Sequence, residues 1–440
     1  NQWDWTANEL FVNIGANPTG GTIEVSSRTY AIAISPNVSN VAFNNFILRS
    51  PASNAWHILT GGSASGITVN NLEAYNSEND GFQQNGSTSV AYTNVTSTDN
   101  GDDGISFHDT SSGSVEGAYL ANNPGGAMDH GTTAQTDANN VTCVGNGHCL
   151  GFSTYANDGI TRTSSLTNST ISSSSSGLIL SQDTAGEVIL NVSSTNFINS
   201  VLLLQGGNAS RINLNNVTFN SGASRSPISL SGGAVWNINF TSTTISSGLY
   251  GIYLNGSGTS TVDLTGLTMN PSSVDIGVRL EAGTTASTTV KNGTVVGTSY
   301  GILNAANNFT ARDIIFNGGS ATGLYLGGNG SNAINVTTTG TGVGITIAGA
   351  NATVATATIQ NTAGTGIEIT NTASNVTLNN IYVSGLAGVG ISVNSSTVTI
   401  SNYQASGTTS NKALQATNGS VVNANKLKIH HSGTTGVQTA

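Results

Sequence analysis

The chain has 440 residues, with 55 glycines, only 7% charged residues and a formal charge of −10. It shows no basic stripe, which argues against a nucleic-acid partner, and no apolar run of the roughly 18 residues needed to span a membrane. Asn, Ser and Thr supply the polarity, a composition suited to a fold whose short side chains hydrogen-bond to backbone and to one another.

Residues 1–20 carry Trp3, Trp5 and the amphipathic stretch Asn8-Glu9-Leu10-Phe11-Val12-Asn13-Ile14. They read as a cap over the open end of a repeat fold, and as a segment through which the chain could self-associate. The start at Asn1 without Met suggests a removed leader. Gly20-Gly21-Thr22-Ile23-Glu24-Val25 reads as the first strand of the repeat.

From there a Gly followed by alternating apolar residues recurs, as in Gly81-Phe82, Gly104-Ile105-Ser106-Phe107, Gly177-Leu178-Ile179-Leu180, Gly301-Ile302-Leu303 and Gly390-Ile391-Ser392-Val393. Period-2 patterns of this kind mean half-buried strands, and the Asn/Gly/Ser clusters between them mean turns. No stretch shows a helical period. A strand unit repeating every 21–26 residues or so cannot bury its inner face alone. The expected fold is therefore all-β: one continuous right-handed parallel β-helix over residues 21–440, of about 16 coils and roughly 75–80 Å.

Cys143 and Cys149 are the only cysteines, six residues apart. They could close a small disulfide loop or remain two buried thiols. Sequons at Asn94, Asn140, Asn216, Asn335 and Asn375 are compatible with glycosylation and with a secreted, extracellular protein. The basic cluster Lys426-Leu427-Lys428-Ile429-His430-His431 reads as a solvated edge that discourages end-to-end stacking.

Charge is unevenly placed. Eleven of the 21 acidic residues lie between Glu73 and Asp158, together with His108, His130 and His148. Like charges on neighbouring coils raise each other's pKa values, so the gathering points to function rather than stability. Registered on the glycines, Asp80 and Asp103 stack on adjacent coils with Asp102 beside them. His108 and His130 fall four residues after Gly104 and Gly126 and should form a second column. If Cys149 takes the Gly position, His148 returns to the aspartate column. Gln84 and Asp129 fall where other coils are apolar, so either the strands end early there or polar groups face inward at this patch. Glu78, Asp129 and His148 are candidate substrate-binding residues. Glu78, Asp80, Asp102 and Asp103 also offer the oxygen ligands that Ca²⁺ prefers; no other cofactor is expected.

Asn79-Asp80-Gly81-Phe82 and Asp102-Asp103-Gly104-Ile105 resemble the Asn-Thr-Asp-Gly-Phe and Asp-Asp-Cys-Ile motifs of polygalacturonase-type glycoside hydrolases, one coil apart in both. The resemblance covers about 50 residues. It implies an inverting hydrolase in which Asp102 is the general acid and Asp80 with Asp103 hold the attacking water. Two partners of that family are missing: its Gly-His-Gly is Pro124-Gly125-Gly126 here, and its Arg-X-Lys has no counterpart. No Lys or Arg lies between Arg49 and Arg162. The expected substrate is therefore a neutral or weakly charged polysaccharide. A lyase that uses an Arg or Lys base lacks its cation, and a lyase or epimerase based on His108 or His130 is the lesser enzymatic option. The alternative is a non-catalytic extracellular β-helix, such as a filament or surface subunit or a spike-like adhesin.

Overall fold

The computed structural model describes residues 2–6, 9–13, 29–35, 37–59, 63–131, 135–154, 161–172, 176–182, 187–206, 210–232, 235–256, 258–282, 287–407, 412–430 and 435–439. They form strands and turns with no helix, and so no helix long and apolar enough to cross a membrane.

Each coil in the region of the acidic residues has three strands, lying on a front, a back and a side sheet. Phe82–Gln84 (front), Ser87–Thr93 (back) and Thr96–Thr98 (side) make one coil, and Ile105–Phe107 opens the next. Every front strand pairs in parallel with the front strand of the following coil, from Ile32–Ile34 to Thr435–Thr439. Parallel strands joined by crossovers wind right-handed. Coil length runs from 21 residues between the partners Leu324 and Ile345 to 28 between Leu150 and Leu178.

The core is built from inward columns. Trp56, Phe82, Ile105, Met128 and Leu150 stack on the front sheet, and Val69, Tyr92, Val115, Ala138 and Leu166 on the back sheet, all buried. Around the acidic coils the filling is aromatic. Tyr92 meets Trp56, Phe82 and Phe107 edge-on at centroid distances of 5.9, 5.7 and 6.1 Å, the geometry in which aromatic quadrupoles attract. This cluster fixes the strands that carry the acidic turns.

The corner between back and side sheets is a single residue in the left-handed region. Asn45, Asn71, Asn94, Asn140, Asn216, Asn335, Asn380 and Asn402 all take it, with φ between 50° and 62°. Asn tolerates that conformation better than any residue except Gly, and its amide bonds the next corner: Asn71 Nδ2 donates to Asn45 Oδ1 at 2.7 Å and Asn402 Nδ2 to Asn380 Oδ1 at 2.9 Å. The corner residue is followed by an inward apolar and an outward Thr, as in Asn94-Val95-Thr96 and Asn216-Val217-Thr218. Sequons therefore arise from coil geometry itself.

At the N-terminus, Gln2–Thr6 and Glu9–Asn13 pair antiparallel, unlike every coil strand. The expected first coil strand at 20–25 lies outside the described residues. Lys426, Lys428 and His430 lie exposed on Val421–His430, while His431 is outside the described residues. Cys143 and Cys149 are joined in a disulfide within the core.

Candidate active site

The acidic turns run from side sheet to front sheet, at residues 76–81 and 99–104. Phe82 pairs with Ile105, which sets Asp80 level with Asp103 on successive coils. The Asp103 backbone N–H donates to Asp80 Oδ1 at 3.2 Å, and Gly81 N–H to Asp103 O at 2.9 Å. Carboxylate oxygens of Asp80, Asp102 and Asp103 all lie within 4.8 Å of one another. Asp80 and Asp103 are buried, and Asp102 is exposed. Glu78 is exposed on the turn and is not part of this cluster, so an expected four-carboxylate Ca²⁺ set reduces to three.

Behind the turns runs a buried asparagine ladder. Asn123 Oδ1 accepts from Asn100 N and Nδ2 at 3.2 and 2.9 Å, and Asn146 Oδ1 accepts from Asn123 N and Nδ2 at 2.9 and 3.0 Å. Asn100 Nδ2 also donates to Ser97 Oγ, whose hydroxyl donates to Gly104 O at 2.9 Å. These bonds satisfy the backbone of turns that are neither strand nor helix. Asn123→Ala strands donors and acceptors on both neighbouring coils. We expect it to cost about 1–3 kcal/mol for each group left unsatisfied, read as a lower urea midpoint.

On the next coil the glycine is displaced. Ile105 pairs with Met128, so Ala127, not Gly126, takes the place of Gly104. The expected column of His108 and His130 therefore does not form. His130 pairs with Phe107 and points inward, stacked on its ring at 4.8 Å, with Nδ1 at 2.9 Å from Gly151 O and Nε2 bonded to Thr136. Burial pushes its pKa down to about 4, so it is a neutral core residue away from the front surface. The same shift corrects Asp129: it pairs with Ser106 on the outward face, and His130 occupies the inward position expected for it. Gln84 does point inward, satisfied by Ser112 O and Tyr92 Oη at 2.9 and 3.1 Å.

Met128 pairs with Leu150, so Cys149 does take the glycine place and His148 stands on the column of Asp80, Asp103 and Gly126. A Cβ at Gly126 would collide with the His148 ring, and one at Gly125 with the carboxylates of Asp102 and Asp103. The two glycines thus supply the space in which these groups converge. His148 Nε2 lies 3.3 Å from Asp129 Oδ1 but has no hydrogen-bond partner.

His108 joins the cluster from the front surface. Its Nε2 accepts from Gln83 Nε2 at 3.1 Å and lies 2.6 Å from Ser106 Oγ, and the Ser106 hydroxyl also bonds Asp80. Farther along, Asn54 Nδ2 reaches Gln83 Oε1 at 2.6 Å and His57 Nδ1 at 2.8 Å, and Asn54 Oδ1 accepts from Asp80 N at 3.0 Å. Asn54, His57, Gln83, Ser97, Asn100 and Ser106 were not singled out from sequence. The recurrence of Asn at 100, 123 and 146, in step with the coil, is the signal that could have found the ladder.

Electrostatics sharpen the site. Burial, reinforced by Asp129, Asp80 and Asp102, pushes Asp103 up to about 9. Burial and the charges of Asp102 and Asp129 push Asp80 up to about 7, against the Asp103 N–H and Ser106 bonds. Arg49, which lies over the Tyr75 ring on the side sheet, and Arg162, buried on the back sheet, are the nearest cations in sequence. The cluster therefore retains a proton at neutral pH. A protonated carboxyl beside an exposed one can pass a proton to an oxygen that meets the exposed one, and the three together could hold a cation.

No protein family and no curated protein matches the sequence. Among solved structures the chain is similar to the A-module of the mannuronan C-5 epimerase AlgE4 of Azotobacter vinelandii, with 10% identity over 86% of this chain and 89% of that one and a TM-score of 0.24. A superposition that loose carries no argument about this chain's chemistry. The fold is shown by the unbroken parallel pairing of coil on coil: the chain is a right-handed parallel β-helix protein.

Proposed function

We propose that the chain is a secreted, polysaccharide-active glycoside hydrolase that cuts a neutral or weakly charged glycan at the front-sheet surface around Asp80, Asp102 and Asp103. The observation that carries this reading is the convergence of three carboxyls from two adjacent coils, two of them buried and proton-holding and one facing solvent. Asp102 is the member that can touch a leaving oxygen. It passes to the leaving oxygen a proton held by the buried pair, and the pair, left charged, orients the attacking water and takes its proton.

The oxygens lie closer than the roughly 6.5–9.5 Å that separates an inverting pair around its water. That spacing is nearer the roughly 5–5.5 Å of retaining enzymes, so the inverting outcome implied by the motif resemblance is what the anomer of the product tests. With no cation on these coils, the site repels polyuronates. The buried disulfide fits an exported protein.

The test is release of reducing ends from a panel of xylan, mannan, galactan and β-glucan, with the anomer of the first product read by NMR. Cleavage with inversion by the wild type supports the reading. Wild type and Asp102→Asn equally inert on the whole panel would leave the alternative, a non-catalytic extracellular rod. Retention would reject the inverting assignment that the motif resemblance implies.

A further inference from the structure

The front face carries a second group of aromatic and charged side chains far from the aspartates. Ser106, Asp129 and Gly151 belong to an outward column that continues along the rod through Leu203, Ser229, Tyr253, Arg279, Leu303 and Tyr325. Tyr253 is six coils from Ser106, roughly 30 Å at the strand spacing of a sheet. Tyr250 and Tyr300 stand on a neighbouring column of the same face, with Ile276 between them. All four tyrosines are half-buried.

The hydroxyls of Tyr250 and Tyr253 are already held, by Arg279 and Glu281. Arg279 Nη1 donates to Tyr250 Oη at 2.9 Å and its Nε to Glu281 Oε1 at 2.7 Å, while its guanidinium lies 4.8 Å over the Tyr250 ring. Tyr250 and Tyr253 sit 5.4 Å apart, tilted by 31°. Tyr300 and Tyr325 meet edge-on at 6.0 Å. The result is two aromatic pairs held in fixed orientation, with the one cation among them neutralised by its carboxylate. Rigid rings lose little entropy on binding. Their faces suit the C–H faces of sugar rings, while Arg279 and Glu281 offer a donor and an acceptor for hydroxyls. An uncharged ligand fits a patch whose charges cancel.

We infer that Tyr250, Tyr253, Tyr300 and Tyr325, with Arg279 and Glu281, form a distal binding platform for a neutral polysaccharide chain lying along the front sheet. This rests on the reading of the chain as polysaccharide-active, and it places a second contact on the same face about 30 Å from the acidic cluster. A long chain engaged at both places gains effective concentration that a short oligosaccharide cannot.

The test uses native affinity gels containing xylan, mannan, galactan or β-glucan, run on Asp102→Asn protein so that binding is read without turnover. At least one polysaccharide should retard the protein. Tyr253→Ala together with Tyr325→Ala should weaken that retardation about tenfold, whereas Tyr253→Phe with Tyr325→Phe, which keeps the rings, should preserve it. Unchanged thermal unfolding of both variants excludes a folding defect. Retardation by none of the four, or retardation indifferent to the Ala pair, would overturn the inference. Tyrosine-dependent binding without cleavage by the wild type would sustain the platform and reject the hydrolase, and cleavage without tyrosine-dependent binding would do the reverse.

Discussion

Asp103→Asn is expected to make the protein more stable than wild type at pH 8–9, by on the order of 1–3 kcal/mol, and to leave stability at pH 4 nearly unchanged. The sign follows from the shift. Asp103 is held up to about 9 and Asp80 to about 7, both above the ordinary carboxylate value near 4 that they regain on unfolding. Their folded forms keep protons that the unfolded chain releases. The stability they contribute is full below about pH 4 and is lost as pH rises through 7 and 9. An amide in place of the Asp103 carboxyl never ionises and escapes that loss. His130 acts oppositely: its pKa is lowered to about 4, so its contribution is present above about 6.5 and lost as pH falls towards 4. Comparing variant and wild type at the same pH by urea unfolding removes the His130 contribution.

The second large effect is on turnover. Asp102→Asn removes the solvent-facing member of the trio while leaving the buried pair and the asparagine ladder in place. If the trio performs acid–base chemistry, cleavage should fall by about 10²–10⁴-fold. KM should change little, because the platform tyrosines remain. Wild-type activity should fall on the alkaline side as the buried pair gives up its protons, a profile that the variant's residual activity lacks. Initial rates across pH on the best polysaccharide check both expectations.

The coil and its inward columns were legible in the sequence because one geometric rule generates both. Alternating apolar residues after each glycine mark the front strands, and stacking Phe82 on Ile105 needs only the 23-residue step between Gly81 and Gly104. The same counting failed one coil later. There the place of the glycine is taken by Ala127, and Gly126, one residue earlier, is needed instead for the His148 ring. Ala127 and Cys149 hold the glycine place on two successive coils, so glycine alone is not a reliable register mark. A one-residue slip turns a side chain to the opposite face, which is why His130 and Asp129 exchanged places. Met128 and His130 as the inward alternation would have given the correct register.

The sequons illustrate a different limit. Asn-Val-Thr at 94–96, 140–142 and 216–218 reads as an acceptor pattern, yet each residue is required by the coil: a left-handed corner, an inward apolar side chain and an outward β-branched one. The hydrogen-bond chain from Asn54 through Gln83 and His108 to Ser106 was not legible at all, since it joins residues from three coils with no shared motif.

The most direct test is a carbon-13 NMR titration of the aspartate carboxyls, assigned by difference against Asp80→Asn, Asp102→Asn and Asp103→Asn. The structure predicts that at least one carboxyl of the trio is still protonated at pH 7, with Asp80 and Asp103 titrating near 7 and 9. Full ionisation of all three by pH 5.5 would contradict a buried, proton-holding cluster and with it the site as described.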